Sequence, residues 1–267
     1  MNHTVAVVIP FYKERLSLLE EISIQQCFKV LGNYPIIAVK PERLDLSGYP
    51  FQFTAIKSFE NSFFDDIQGY NRLMMESKFY EQFLEYSFIL IYQPDAFVFR
   101  DELMQWCSRG FDYIGAPWLV TYPDMFKWVK NKSTARIHTY LNLKQKGSNL
   151  PTRVQFDNRV GNGGLSLRNT KKLFDICQTE KHLIETYNQE AEHYYNEDAF
   201  FGIEVNRRKI RLHIPTYHEA VFFSIENYPE KALHLTKGKL PFGCHAWDQH
   251  LSFWSPVFKE AGIILPI

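Results

Sequence analysis

The chain has 267 residues, of which 45% are apolar, enough for a substantial core in a single α/β domain. Thirty basic residues balance thirty acidic residues, so no long-range attraction to nucleic acid or to an anionic membrane is expected. The four cysteines form no CxxC pair and no apolar run reaches about 18 residues, which predicts a cytoplasmic protein with free thiols and no membrane span.

The first hundred residues alternate short apolar runs with amphipathic segments. The runs predict strands at residues 4–9, 35–39 and 51–56, and helical periodicity predicts helices at 16–31 and 65–83, the second beginning near the capping residues Asp65 and Asp66. This order is typical of a nucleotide-binding α/β half. Neither a P-loop nor a glycine-rich dinucleotide motif is present, so a nucleotide would need another kind of site.

An apolar run at residues 88–92 predicts a buried central strand that stops before Pro94, which cannot donate to a sheet ladder. Asp95 follows directly, so its carboxylate lies where the strand ends. Ligands of open α/β sheets collect beyond the carboxyl ends of the strands, which makes Asp95 a candidate site residue. The alternative is an ordinary turn residue after Pro94.

The second half of the chain begins with a predicted short helix at 101–109 and a strand at 111–118. Residues 120–151 are polar with weak periodicity, which predicts a flexible loop acting as a lid or an acceptor-binding loop. Its cations are Lys127, Lys130, Lys132, Arg136, Lys144 and Lys146. Helices are predicted at 170–177 and 179–191, and short strands at 212–214 and 220–225.

Three further motifs are candidate site elements. Gly163 and Gly164 lie beside a strand, where a missing Cβ permits close approach of a ligand, and a bulge or tight turn is the alternative. Glu197 and Asp198 open an apolar helical run, where negative charge is favoured, and an ordinary N-cap would also explain them. His245 is either a core histidine or a ligand.

Taken in chain order, these motifs resemble the GT-A-type glycosyltransferases, and among them the bacterial DUF5672 group. The resemblance implies one GT-A-like α/β domain over residues 1–267, with a Rossmann-type nucleotide-sugar-binding half near 1–100 and an acceptor-binding and catalytic half near 101–267 around one mixed central sheet. The stretches that carry it are VVIPFY (7–12), YQPDA (92–96), YIGAPW (113–118), VGNGGLSLR (160–168), NEDAFFG (196–202) and FGCH (242–245).

In GT-A enzymes a carboxylate at the end of a central strand holds a divalent metal on the donor diphosphate, and a C-terminal histidine can complete the coordination. The resemblance therefore implies Asp95 and His245 as ligands of Mn²⁺ or Mg²⁺. Gln93 replaces the first Asp of the usual Asp-x-Asp pattern, a departure that bears on metal use. The resemblance also implies an inverting reaction, with Asp198 as general base and Glu197 beside it in contact with donor sugar or acceptor.

The remaining candidates are assigned to substrate contacts, and those of the donor rest on their position after the first two strands and on the following helix. The expected partners are a nucleotide-sugar donor, with a UDP-sugar favoured, and a glycan or lipid-linked acceptor in bacterial surface polysaccharide assembly. Contact with the inner face of a membrane stays open, through aromatic residues at 118–128 and 253–254. The expected donor contacts, besides Asp95, are Pro10, Tyr12, Glu14, Lys40, Asn71 and Arg72, and the expected acceptor or sugar contacts are Trp118, Asn162, Gly163 and Gly164.

Two other functions fit the same residues. A non-catalytic nucleotide- or sugar-binding module of the same fold would explain the missing Asp-x-Asp. A nucleotidyltransferase would share the architecture and the metal, but such enzymes normally carry a glycine-rich basic loop after the first strand. Here that loop, PFYKER at residues 10–15, contains no glycine.

Overall fold

The computed structural model describes residues 4–120, 125–190, 192–263 and 265, and for residues 125–131 it describes the backbone alone. Within this part of the chain, nine strands form two sheets. The strands are β1 (Val5–Pro10), β2 (Ile36–Pro41), β3 (Ala55–Phe59), β4 (Phe88–Tyr92), β5 (Phe97–Val98), β6 (Tyr113–Pro117), β7 (Val160–Asn169), β8 (Ser224–Ile225) and β9 (Gly243–Cys244).

The larger sheet has the order β3-β2-β1-β4-β7-β6, and the smaller has the order β5-β9-β8. Strands β1 to β4 of the larger sheet run parallel, whereas β7 is antiparallel to both of its neighbours. The predicted α/β fold class with one mixed central sheet is therefore confirmed. The division into a donor half and an acceptor half stays a prediction.

Helices cover both faces of the larger sheet. The described helices are α1 (Leu18–Leu31), α2 (Ile67–Met75), α3 (Ser77–Glu81), α4 (Leu103–Cys107), α5 (Met125–Leu141), α6 (Thr170–Thr179), α7 (Lys181–Asn188), α8 (Glu197–Ala199), α9 (Tyr217–Ala220), α10 (Pro229–Leu235) and α11 (Leu251–Glu260). A π-helical turn, Phe200–Glu204, continues α8. None of these helices is long and apolar enough to cross a membrane.

The central strands are buried on both faces, which explains their continuous apolar sequence. Side chains alternate along β1, so Val7 packs with Ile24 of α1 on one face, and Val8 packs with Leu73 of α2 on the other. A third core cluster, which includes Trp254, joins the smaller sheet to α10 and α11. Trp254 is fully buried, so of the two roles that the sequence left open for it, lipid contact or burial, the structure shows burial.

Several predicted boundaries change in the structure. The predicted 65–83 helix begins as expected, with Asp66 capping Gly69, but it divides into α2 and α3 at Glu76, whose backbone is extended. The third strand lies at Ala55–Phe59 rather than at 51–56. Residues 212–214 form no strand, and the predicted 220–225 strand is reduced to β8, because Tyr217–Ala220 forms a helix.

Part of the predicted loop at 120–151 is helical, as α5 covers Met125–Leu141. Its apolar residues point in more than one direction. Ala135 is buried, whereas Ile137, Tyr140 and Leu141 are exposed. A helix with apolar residues on its exposed face lacks the regular stripe that identifies helices in a sequence. The predicted mobility of this segment stays untested, and its residues 121–124 lie outside the described part of the chain.

Candidate active site

A cavity of about 440 Å³ lies at the carboxyl ends of β1 and β4. Since β1 and β4 are parallel neighbours, the loops that follow them open at the same edge of the sheet. Strand β7, α2 with the residues that lead into it, α8 and the residue after β9 complete the wall. Nine of the predicted site residues line this cavity together: Pro10, Tyr12, Asn71, Asp95, Asn162, Gly164, Glu197, Asp198 and His245.

The position of Asp95 follows from the way β4 ends. The backbone N–H of Gln93 still donates to Gly164 of β7, at 2.8 Å, but Pro94 has no N–H to continue the ladder. The chain then turns, with Ala96 N donating to Gln93 O at 2.8 Å. Asp95 lies in this turn and faces the cavity.

His245 is surrounded by oxygen acceptors on both ring nitrogens. Its Nε2 lies 3.2 Å from Asp95 Oδ1 and 3.0 Å from Gln93 Oε1, and its Nδ1 lies 3.1 Å from Glu226 Oε2. Burial opposes a charge on this ring, but Asp95 and Glu226 outweigh it and raise the pKa of His245 well above its ordinary value. Burial also raises the pKa of Asp95, but His245 outweighs it and the net shift is downward.

Gly164 makes this arrangement sterically feasible. A Cβ added at Gly164 would overlap the imidazole ring of His245. The glycine predicted to allow close approach of a ligand therefore allows close approach of His245 to β7.

The second group of charges is built on Arg168, a fully buried residue of β7. Its Nη2 donates to Glu197 Oε1 at 3.0 Å, its Nη1 to the Tyr80 hydroxyl at 3.0 Å, and its Nε to Ser166 Oγ at 2.9 Å. Glu197 is 3% exposed, and its Oε2 has no hydrogen-bond partner among the described residues. A buried carboxylate with a fixed cation on one oxygen thus leaves its other oxygen available.

Asp198 follows Glu197 but has no cation of its own among the described residues. Burial, and then the nearby Glu197 charge, raise the pKa of Asp198 well above its ordinary value, and Arg168 only partly offsets this. The Asp198 side chain is half-buried and lines the cavity. It is therefore a carboxyl group that faces the cavity and binds a proton more tightly than an ordinary aspartate does.

Two neighbours hold this carboxyl pair in place. The Asn71 side chain accepts from Glu197 N at 3.2 Å and donates to Asn196 Oδ1 at 2.9 Å, so it fixes the start of α8. A Cβ at Gly163 would lie 2.5 Å from Glu197 Oε1 and 2.8 Å from Asp198 Oδ1, closer than real Cβ atoms approach. Only glycine fits between β7 and the two carboxyl groups.

Five predicted site residues do not line the cavity, and one of them, Gly163, lies against the Glu197 and Asp198 carboxyl groups instead. Glu14 is exposed, Lys40 Nζ donates to the carbonyls of Pro41 and Glu42, and Arg72 Nη2 donates to Ser62 O at 3.4 Å. Trp118 packs against Gly161, where a Cβ would overlap its ring, and against Phe156. Backbone carbonyls thus occupy Lys40 and Arg72, packing occupies Trp118, and Glu14 points to solvent.

Sequence reasoning missed Arg168, Glu226 and Tyr70 at this site. Arg168 carried a usable signal, because a charged residue that follows Leu165 and Leu167 in an apolar strand has to be paired when it is buried. Nothing in the sequence around Glu226 indicates that it reaches His245.

A family model described as "Protein of unknown function (DUF5672)" matches residues 53–245 of the chain. No curated protein matches it. Among solved structures, this chain is similar to core-mannan synthase A from Aspergillus fumigatus, in a form with Mn and GDP. The TM-score is 0.48 and the identity 11%, over 75% of this chain and 69% of that chain.

Two further structures are similar at the same level. A glycosyltransferase involved in glycosylation of the major capsid of PBCV-1 has a TM-score of 0.47 and 11% identity, over 94% of this chain and 99% of that chain. The glycosyltransferase GlyE of Streptococcus pneumoniae has a TM-score of 0.47 and 12% identity, over 92% of this chain and 55% of that chain. At such scores and identities these likenesses say nothing about the substrates of this chain.

Proposed function

The chain belongs to the DUF5672 family, and we propose that it is a glycosyltransferase that moves a sugar from a nucleoside-diphosphate donor to a hydroxyl group of a glycan or lipid-linked acceptor, with inversion. One observation carries this proposal: a half-buried carboxyl with a raised pKa, Asp198, shares a cavity of about 440 Å³ with the Asp95–His245 pair. A base for the acceptor and polar groups for the donor are thus available in one cavity.

In the proposed reaction, the acceptor oxygen forms a bond to C1 of the donor sugar while the bond from C1 to the diphosphate oxygen breaks. The electron pair of that bond leaves with the diphosphate, and the hydroxyl proton moves to the ionised Asp198. Attack from the face opposite the leaving group inverts the configuration at C1. The raised pKa of Asp198 suits this role, because it makes the ionised carboxylate a stronger base than an ordinary aspartate.

Glu197 and Arg168 support the base in this scheme. Arg168 balances the charge of Glu197, and Glu197 in turn raises the proton affinity of Asp198. The free Oε2 of Glu197 is suited to accept a hydrogen bond from a sugar hydroxyl.

The residues at the end of β4 fit a divalent metal ion. An imidazole nitrogen, a carboxylate oxygen and an amide oxygen converge within 3.2 Å, and Glu226 holds the other ring nitrogen, an arrangement typical of metal-bound histidines. Asp95 and His245 would hold the ion, and when bound it would offset charge on the leaving diphosphate. No group of three or more His, Cys, Asp or Glu side chains suited to a metal occurs in the described part of the chain, so the diphosphate would supply further ligands.

Tyr12 supports the donor side of the proposal. Its ring follows β1, lines the cavity and is 50% exposed, which leaves a face on which a nucleobase can stack. A UDP-sugar is the donor that we propose to test first.

The test has two stages. Thermal unfolding is measured with UDP, GDP, CMP and dTDP, each with and without Mn²⁺, because a ligand of the folded state raises its apparent stability. Nucleoside-diphosphate release is then measured with the matching nucleotide-sugars and saccharide acceptors. The proposal is supported if one diphosphate raises the unfolding temperature and if Asp198→Asn abolishes release of the nucleoside diphosphate. Binding without turnover would indicate a non-catalytic binding module. The absence of both binding and turnover would contradict a nucleotide-sugar site.

A further inference from the structure

A second cavity, of about 590 Å³, lies on the other side of the contact between β7 and the helical turn after α8. Its wall combines α5, the residues that lead into β7, the turn around Gly202 and the segment at 210–218. It shares no lining residue with the 440 Å³ cavity. The two are separated where Gly202 packs so closely on β7 that a Cβ would lie 2.5 Å from Val160 O.

The charge of this second cavity is mainly positive. Lys132, Arg136 and Arg159 line it, and Asp157 is the one carboxylate among the described lining residues. Asp157 already has an interaction partner. The cationic side chains therefore outnumber the acids in a space of the size that small ligands occupy.

Arg159 is the informative member of this group. Its guanidinium makes no hydrogen bond or ion pair with any described residue, although the side chain is half-buried. Burial, followed by the charges of Arg136 and Arg207, lowers the pKa of Arg159. An arginine that is held out of bulk water beside other arginines, and that forms no ion pair, is electrostatically unfavourable.

Arg207 lies near Arg159 but outside the cavity lining, and its hydrogen bonds are satisfied. It donates to the Glu204 carboxylate at 2.7 Å and to Gln155 Oε1 at 2.8 Å, so its hydrogen-bonding capacity is largely used inside the protein. Arg159 has the same five donors, and no side chain or backbone oxygen among the described residues accepts from them.

We propose that the 590 Å³ cavity binds a small ligand through a phosphate or carboxylate group, with Arg159 as the principal contact and Arg136 at the rim. A guanidinium pairs with such a group through two parallel hydrogen bonds, which would satisfy Arg159 and offset the repulsion from its neighbours. The Asn158 amide and the Tyr217 ring in the same wall suit a ligand of sugar-phosphate or uronate type. This site does not depend on the proposed transferase activity.

The test is isothermal titration of the full chain with glucose 1-phosphate, glucuronate and inorganic phosphate, with glucose as the neutral control. Arg159→Gln should weaken binding of the anionic probes at least ten-fold, and Arg136→Gln by a smaller factor. Arg153→Gln is the matched control, since Arg153 is exposed, lies six residues from Arg159 and does not line the cavity. Asp198→Asn should leave this binding unchanged.

The three anionic probes separate the sources of the bound group. Tighter binding of the sugar phosphate or the uronate than of inorganic phosphate would identify a saccharide ligand, and equal binding of the two phosphates would identify phosphate alone. Either result supports the site when Arg159→Gln abolishes it. Equal affinity in Arg159→Gln and the parent chain, or no binding of any probe at millimolar concentration, would overturn the proposal. Since Arg136 is exposed, Arg136→Gln keeps the test decisive if Arg159→Gln fails to fold.

Discussion

Arg168 Nη2 lies 3.0 Å from Glu197 Oε1, and the two side chains are 0% and 3% exposed. Arginine does not lose its proton in proteins, so the pair is a permanent cation beside a carboxylate. Asp198, the next residue, shares the environment without a cation of its own among the described residues, and its pKa is raised. The relationship thus separates two adjacent carboxyl groups into one that is charge-balanced and one that is suited to proton transfer.

We expect Arg168→Met to lower the free energy of unfolding by about 3–5 kcal/mol, because it leaves the Glu197 carboxylate buried without its cation. Urea unfolding measures this change, and Lys171→Met, which breaks the exposed pair with Asp175, should cost about 0–1 kcal/mol. The double variant Arg168→Met/Glu197→Gln should recover part of the loss. If Arg168→Met and Lys171→Met are equally stable, the buried pair contributes no more to the free energy of unfolding than the exposed pair does.

Asp198→Asn should reduce sugar transfer by about 10²–10⁴-fold while the nucleotide still binds, since an amide cannot take the acceptor proton. Steady-state release of the nucleoside diphosphate gives the rate, and titration with the nucleotide gives the affinity. Asp175→Asn, an exposed residue of α6, is the control and should keep full activity. An unchanged rate in Asp198→Asn would remove this residue from the mechanism.

The same variant should change how stability depends on pH. A carboxyl whose pKa is raised in the folded state favours folding while it is protonated, and this contribution is lost as pH rises from the unfolded pKa through the folded one. Asp198→Asn removes this titrating group, so the variant does not lose stability in this way as the pH rises. Its Tm relative to the parent chain should therefore be higher at about pH 8 than at about pH 5. A constant difference in Tm across this range would contradict the raised pKa.

Gly163→Ala should destabilise the protein by about 1–3 kcal/mol and reduce transfer, because the new Cβ meets the Glu197 and Asp198 carboxyl groups. Gly48→Ala is the matched control, as no atom lies within 4 Å of a Cβ at that position. Thermal unfolding and the transfer assay are compared for both variants. Loss of stability with unchanged transfer would mean that the carboxyl pair tolerates displacement.

If a divalent ion is held at Asp95 and His245, chelation should lower donor affinity and turnover together, and Asp95→Asn should remove the part of the thermal shift that depends on Mn²⁺. Asp248→Asn provides an exposed carboxylate close to His245 in sequence and should behave like the parent chain. If neither chelation nor Asp95→Asn changes donor affinity and turnover, these residues are excluded as metal ligands.

Much of the fold could be predicted because its signals are local. Apolar runs identified β1, β2 and β4, and the capping residue Asp66 marked the start of α2. Where neighbouring packing overrides local preference, the predictions failed. Helix α5 exposes Ile137 and Tyr140 and so lacks a regular stripe, and the predicted strand at 212–214 has no partner among the described strands.

The sequence by itself determined the parts of the site that depend on where a strand stops, since Pro94 places Asp95 at the carboxyl end of β4 whatever surrounds it. Only the tertiary structure decided the partners: His245 beside Asp95 and Glu226, Arg168 beside Glu197, and Arg159 without an ion pair among the described residues. These contacts join residues far apart in the chain, and their electrostatic effect depends on distance and burial. Neither quantity can be obtained from the order of residues alone.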